Sequence, residues 1–189
     1  VAGGHEVCSH GWRWVHQFQM DEAKERDFIN KAADSIERTT GIRPVGWLSR
    51  YLLTENTRRL LAEAGFDYHM DDYSDDQPFW DHAGGKPILI MPYALDSNDM
   101  KMWTDPAYTP EQWYRYAVDS FDQLYREGAD EARMMSLGVH LRIIGRPGRF
   151  VWFERFIDHV LTKGDVWITT RRSIAEHWTE RYPYNAEET

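Results

Sequence analysis

Apolar positions recur along this chain with two periods. Between Asp21 and Arg38, Phe28, Ile29, Ala32, Ala33 and Ile36 fall at the three-to-four-residue spacing of one helix face. Asp21 stands where a carboxylate caps a first turn, and Gly41 where a helix ends. A second helix is expected from Thr54 to Ala64, with Thr54 as its cap and Gly65 just beyond. The third has the clearest start. Thr109-Pro110-Glu111-Gln112 places Thr at the cap, Pro at the first helical position and Gln where a reciprocal capping box needs it. Trp113, Tyr116, Ala117, Phe121 and Leu124 then form one apolar face. A further helix is expected over 150–163, with Phe153, Phe156, Ile157 and Val160 inward, and Ser173-Ile174-Ala175-Glu176 reads as another capping box.

Between these helices lie short apolar runs of strand length: 5–9, 44–48, 66–70, 88–91, 133–139 and 166–169. Their alternation with helices predicts an α/β fold with parallel strands joined by crossover helices. The polar stretch from Asp71 to Gly85 reads as a long loop. Chemistry in such folds gathers at the C-terminal ends of strands. That places His10, Asp71–Asp76, Pro92–Asp99 and His140 on one rim.

Composition narrows the classes. With 189 residues, 42% apolar and 28% charged, the chain reads as a single globular domain. Its 22 basic and 31 acidic side chains give a formal charge of −9, which argues against a nucleic-acid or anionic-membrane partner. No apolar run approaches the ~20 residues of a membrane span. A lone Cys8 excludes an intrachain disulfide and fits a reducing compartment, so a cytoplasmic location is expected. The chain opens Val1-Ala2-Gly3-Gly4 without a Met, so it is expected to be the C-terminal part of something longer.

Four groups could carry chemistry. His10, after a strand and before Gly11, suits a ligand or acid–base role, and equally a His packed on Trp12 or Trp14. His140 ends an apolar run and is either a general acid or a satisfied structural His. Asp71, Asp72, Asp75 and Asp76 crowd four carboxylates into six residues, which calls for a cation, an Arg or a His to share them unless they are simply solvated. Arg146 and Arg149 in a Gly/Pro loop suit a carboxylate or a helix end, and no phosphate-loop pattern accompanies them.

Taken together these motifs resemble the polysaccharide-deacetylase superfamily, also called the NodB-homology or carbohydrate esterase family 4 fold. The order runs from the GHE-x-x-x-H segment Gly4–His10, through Arg43-Pro44-Val45-Gly46 and an acidic segment ending in an aromatic, to a strand ending in His140. The likeness is nearest to the cofactor-independent allantoinases and related cyclic-amide hydrolases. It rests on Ser9-His10-Gly11-Trp12-Arg13-Trp14, Asn56–Leu60, Asp71–Asp76, Pro92–Met100, Leu137–His140, Gly145–Arg149, Val166–Ile168 and Ile174–Trp178. Two departures stand out. Trp14 occupies the place of a second metal-binding His, and an indole N–H cannot ligate a metal. The family's first acidic motif, which supplies a base and a metal ligand, is absent from the chain.

The resemblance implies a distorted (β/α) barrel incomplete at its N-terminus, completed by a companion N-terminal segment or chain. It implies hydrolysis of a ring C–N bond in a small cyclic amide, such as an allantoin-like ureide or a cyclic imide. The alternative is metal-dependent deacetylation of an N-acetylated polysaccharide. On this reading His140, His10, Asp71 and Asp72 are catalytic, with His140 the acid and the 71–76 acids orienting it. Trp12, Trp14, Arg43, Tyr73, Trp80, Tyr93 and Arg146 contact substrate, and Arg43 would also hold the missing acidic segment. The 71–85 loop is expected to close over the site as a lid. No cofactor is expected; zinc or another divalent metal, if present, would involve His10. A homo-oligomer is expected.

Overall fold

The computed structural model describes residues 1–50, 52–83 and 86–187, so Gly84 and Gly85, at the end of the expected loop, lie outside the described residues. The chain divides into two compact units, residues 1–92 with 169–189, and residues 93–168.

The first unit is a helix-covered sheet. Helix α1 (Glu22–Thr40) begins at Asp21, whose carboxylate accepts from the Lys24 N–H, and ends at Gly41 with φ 74°, as its sequence predicts. Strands β1 (Gly46–Trp47), β2 (Tyr68–His69), β3 (Phe79–Ala83) and β4 (Lys86–Ile90) lie in the order β1-β2-β4-β3. The first three neighbours run parallel, and β3 runs antiparallel to β4 with Phe79 opposite Ile90. Phe28, Ile29, Ala32 and Ala33 of α1 pack with Trp47, Leu60, Leu61, Phe66, Ile88 and Ile90 into one core. Ile88 and Ile90 are fully buried, which gives β4 its hold on the sheet.

Strand β3 departs from the expected long loop, because Phe79 has an apolar face to bury beside that core. At 5–9 only Ser9 joins the sheet, by a parallel bridge to Trp47. Helix α2 (Thr57–Glu63) starts three residues later than expected, with Asn56 at its cap position. Thr54 instead turns the chain, its hydroxyl oxygen accepting from the Asn56 N–H at 3.0 Å. That hydroxyl also donates to Glu25. The Glu25 carboxylate is wholly buried and also accepts from Thr57 Oγ1 at 2.5 Å and Gln17 Nε2 at 3.0 Å. The last helix, α6 (Arg171–Arg181), is capped by Thr170, whose hydroxyl accepts from the Ser173 N–H at 3.2 Å. Ser173 therefore sits inside the first turn and is not the cap.

The second unit holds a short 3-10 turn (Asp99–Met102) and helices α3 (Pro110–Glu127), α4 (Leu141–Ile144) and α5 (Pro147–Leu161). The capping box of α3 forms as its sequence predicts, with Gln112 N–H on Thr109 at 3.2 Å and Thr109 N–H on Gln112 at 2.8 Å. Helix α5 starts at Pro147, three residues earlier than expected, because proline suits a first helical position. Ala117, Phe121, Phe156 and Val160 form a core between α3 and α5, with Met135, Leu137 and Val166 against it. Residues 133–139 and 166–169 are irregular rather than strands. Their apolar side chains find a surface to pack on, but within the described residues no ladder pairs their backbone.

Candidate functional site

Each of the two units holds one candidate histidine. In the first, the Ser9 N–H donates to Gly46 O and the Leu48 N–H to Ser9 O, both at 2.9 Å, which carries Ser9 to the sheet edge beside β1. His10 is the next residue and is exposed. Its Nδ1 lies 2.6 Å from Leu48 O. A carbonyl only accepts, so Nδ1 carries the proton and Nε2 is left with a lone pair. Trp14 fills that position, its indole N–H donating to Nε2 at 3.2 Å. Gly11 makes the turn between them at φ 91°, where a Cβ would lie 2.7 Å from the Phe28 ring. Arg50 holds Trp14 from outside, with its guanidinium 3.9 Å from the ring centroid and Nη1 donating to Trp14 O at 3.1 Å.

Asp71 follows β2, and its side chain is 3% exposed. Its Oδ2 accepts from the Ser49 N–H at 2.7 Å and from His69 Nε2 at 2.5 Å. Asp71 Oδ1 and His69 Nδ1 are buried without a hydrogen-bond partner. Asp72 points elsewhere. Its carboxylate accepts from Arg58 Nη2 at 2.6 Å and from the Ser74 hydroxyl at 2.6 Å, and Arg58 also pairs with Asp81. Partial burial pushes the Asp72 carboxyl up, but the Ser74 and Arg58 hydrogen bonds outweigh it and hold the group below the usual carboxylate range. The Arg predicted to share the acidic cluster is thus Arg58, and the loop it braces is tied down at Asp72.

In the second unit, Asp99 opens the 3-10 turn and is wholly buried. Asn98 caps that turn by accepting from the Met100 N–H at 2.8 Å, and the Asp99 N–H donates to Gly138 O at 2.9 Å. These bonds aim both carboxylate oxygens at His140. Oδ1 accepts from Nδ1 at 2.6 Å and Oδ2 from the backbone N–H at 2.7 Å. His140 therefore directs Nε2 away from Asp99, with its side chain 26% exposed. The Tyr93 hydroxyl accepts from Asn98 Nδ2 at 2.7 Å. A Cβ on Gly138 would lie 1.9 Å from that hydroxyl oxygen, so the close approach of backbone to Tyr93 requires glycine.

Several expected roles change. The acid on His140 is Asp99, not a member of the 71–76 cluster, because Asp71 and Asp72 are taken by His69 and Arg58. Arg43 pairs with Asp34 and Glu37 of α1 at 3.1 and 3.0 Å, so in this structure it braces a helix. Trp80 donates its indole N–H to Tyr182 O at 2.7 Å and meets Tyr184 edge-on, anchoring the C-terminal segment. Arg146 is exposed, and its carbonyl accepts the first N–H bonds of α5. Trp12, Trp14 and Tyr73 are exposed at 40%, 49% and 52%. Pattern reading missed His69 as a functional candidate and, though it put Asp99 on the rim, missed the pairing of Asp99 with His140. The available signals were the Asn98-Asp99 cap sequence and a His inside a strand run.

Known proteins resemble this arrangement. Residues 1–69 match the family model for polysaccharide deacetylases. A Schizosaccharomyces pombe protein assigned by name to the polysaccharide deacetylases is 35% identical over 202 residues, covering 97% of this chain and 63% of its own length. The chain is a relative of the polysaccharide deacetylases. Its sheet and helices superpose on a Pseudomonas aeruginosa PAO1 structure of the same assignment with a TM-score of 0.91 and 45% identity, covering 97% of this chain and 62% of that one. The crystal structure of Puue allantoinase matches equally, with a TM-score of 0.92, 43% identity and the same coverage of 97% and 62%. The chain thus spans somewhat less than two thirds of the length of these relatives.

By the resemblance, a second metal-binding histidine is expected where this chain has Trp14. His10 has the tautomer of a metal-ligating imidazole, with Nδ1–H on a backbone carbonyl and a lone pair on Nε2. Trp14 donates an N–H into that lone pair. Among the described residues no three His, Cys, Asp or Glu side chains come together as a metal site would need. These residues do not fit a catalytic divalent metal.

Proposed function

We propose that this protein is a hydrolase of non-peptide C–N bonds that opens a small cyclic amide, an allantoin-like ureide or a cyclic imide. The Asp99–His140 pair carries this reading. A buried carboxylate binding both the ring N–H and the backbone N–H of one histidine fixes its orientation and tautomer. With Nδ1–H held on Asp99, Nε2 takes up the proton that the attacking water gives up and His140 delivers it to the leaving ring nitrogen. Asp99 keeps accepting from Nδ1–H before and after the transfer, so no second group must reorganise. General acid catalysis of this kind is worth roughly 100- to 10,000-fold. His10 keeps the substrate-contacting role that the resemblance implies. With its proton on Nδ1, Nε2 can only accept, so a ureide or imide N–H would bind there by displacing the Trp14 indole N–H that fills it.

The alternative, deacetylation of an N-acetylated polysaccharide, is favoured by the names of most relatives. The indole N–H on His10 Nε2 weighs against its metal-dependent form. A paired assay separates the two. Allantoin and a five-membered cyclic imide are offered beside an N-acetylglucosamine oligomer, each before and after dialysis against a strong chelator. Ring opening that survives dialysis supports the proposal. Turnover of the oligomer alone, lost with the chelator and restored by zinc, overturns it.

A further inference from the structure

We propose that Asp71 is a positioning residue for His10, acting through the Leu48–Ser49 peptide group. The two side chains bind opposite ends of one amide. Leu48 supplies the carbonyl that accepts from His10 Nδ1–H at 2.6 Å, and Ser49 supplies the N–H that donates to Asp71 Oδ2 at 2.7 Å. Leu48 C=O and Ser49 N–H belong to the same planar, trans unit, so they point in opposite directions and the amide spans the gap. A carboxylate on the N–H end draws the amide proton toward itself and pushes electron density onto the carbonyl oxygen. The carbonyl becomes a better acceptor for His10 Nδ1–H. Hydrogen bonds joined through one polarisable group strengthen each other in this way.

The surroundings are built to hold this order. Asp71 is buried, and Oδ2 takes a second bond from His69 Nε2 at 2.5 Å, so the oxygen on the Ser49 N–H cannot rotate away cheaply. Trp47, in the same β1 segment, is fully buried and donates its indole N–H to Ser49 Oγ at 2.8 Å, which fixes the peptide plane from the other side. At the far end Trp14 accepts the consequence: with Nδ1 committed as a donor, His10 Nε2 is an acceptor for its indole N–H. Asp71 thereby sets which nitrogen of an exposed imidazole carries the proton without touching it. This also explains the placement of Asp71 at the strand end, where the sequence reading expected it to orient His140. The burial of its side chain leaves it the indirect role.

This inference rests on the reading that gives His10 a substrate-contacting role, but its test does not use turnover, so the two can fail separately. Nitrogen-15 and proton NMR of the labelled protein reports the tautomer of His10 and the amide proton of Ser49. In the wild type His10 is expected to show a protonated Nδ1 and an unprotonated Nε2. Asp71→Asn should move the His10 Nδ1–H resonance upfield and give measurable population to the Nε2–H tautomer. A second variant leaves Asp71 untouched. His10→Phe keeps an aromatic ring at an exposed position while removing the donor to Leu48 O, and should move the Ser49 amide proton upfield. The relay is overturned if the Ser49 amide resonance is the same in His10→Phe as in the wild type. It is equally overturned if Asp71→Asn folds and leaves the His10 tautomer and Nδ1–H resonance unchanged.

Discussion

Replacing Asp99 by Asn tests the assignment of the general acid most directly. The wild-type carboxylate is wholly buried and receives two N–H bonds from the same histidine, at 2.6 and 2.7 Å. The amide of Asn has one oxygen and one NH2 group in the same shape. If the oxygen stays on the backbone N–H, the NH2 faces Nδ1, which must give up its proton and offer a lone pair. The imidazole then carries its proton on Nε2 as a neutral ring, and the charge that steadied its protonated form is gone. The loss removes about 1.5–3 kcal/mol of charge-assisted hydrogen bonding from the folded state. Kinetically it should lower kcat by about 100- to 10,000-fold, the range of a positioned acid and its orienting carboxylate. KM should change much less, because Asp99 is buried behind His140. The assay is steady-state turnover of whichever substrate the paired assay identifies, with urea unfolding to follow stability and NMR to read the His140 tautomer. A variant that folds, flips the tautomer and keeps kcat within threefold of wild type would refute the role of His140.

Other positions give independent tests. Gly46→Ala places a Cβ 2.2 Å from the Tyr68 hydroxyl oxygen, where that hydroxyl donates to Glu6 at 2.5 Å, and should destabilise the fold by about 1–3 kcal/mol or more in urea titration. Because Asp72 titrates below the ordinary carboxylate range when folded, its contribution is present above the unfolded value and lost as pH falls through the folded one. The wild type should therefore lose more stability than Asp72→Asn on acidification from neutral pH to below about 4, and parallel curves for the two proteins would contradict that. Burial and then the neighbouring Glu6 push the Cys8 thiol up to about 12. Native protein should react with a thiol reagent at pH 8 far more slowly than protein in urea, and equal rates would show that the site opens.

Much of this molecule follows from local rules. The start of α1 at Asp21, its end at Gly41 and the capping box of α3 depend on residues within four positions of one another, and all three formed as their sequence predicts. The parallel strands at Gly46–Trp47, Tyr68–His69 and Lys86–Ile90 fall inside or across the predicted apolar runs, since an apolar run of strand length between helices has few other places to bury its side chains. The two histidines at strand or run ends were legible for the same reason. Their partners were not. Asp99 reaches His140 across 41 residues, and Ser49 reaches Asp71 across 22, so each pairing exists only once helices and strands have packed. Among four adjacent-looking aspartates, charge pattern could not say that Asp72 would turn to Arg58 while Asp71 sank against His69, because burial decides which carboxylate finds which donor. The apolar runs at 133–139 and 166–169 show the same limit from the other side. Hydrophobicity marked them for burial, and they do pack on α3 and α5, but a strand also needs a neighbouring backbone to pair with, and only the tertiary structure supplies or withholds one.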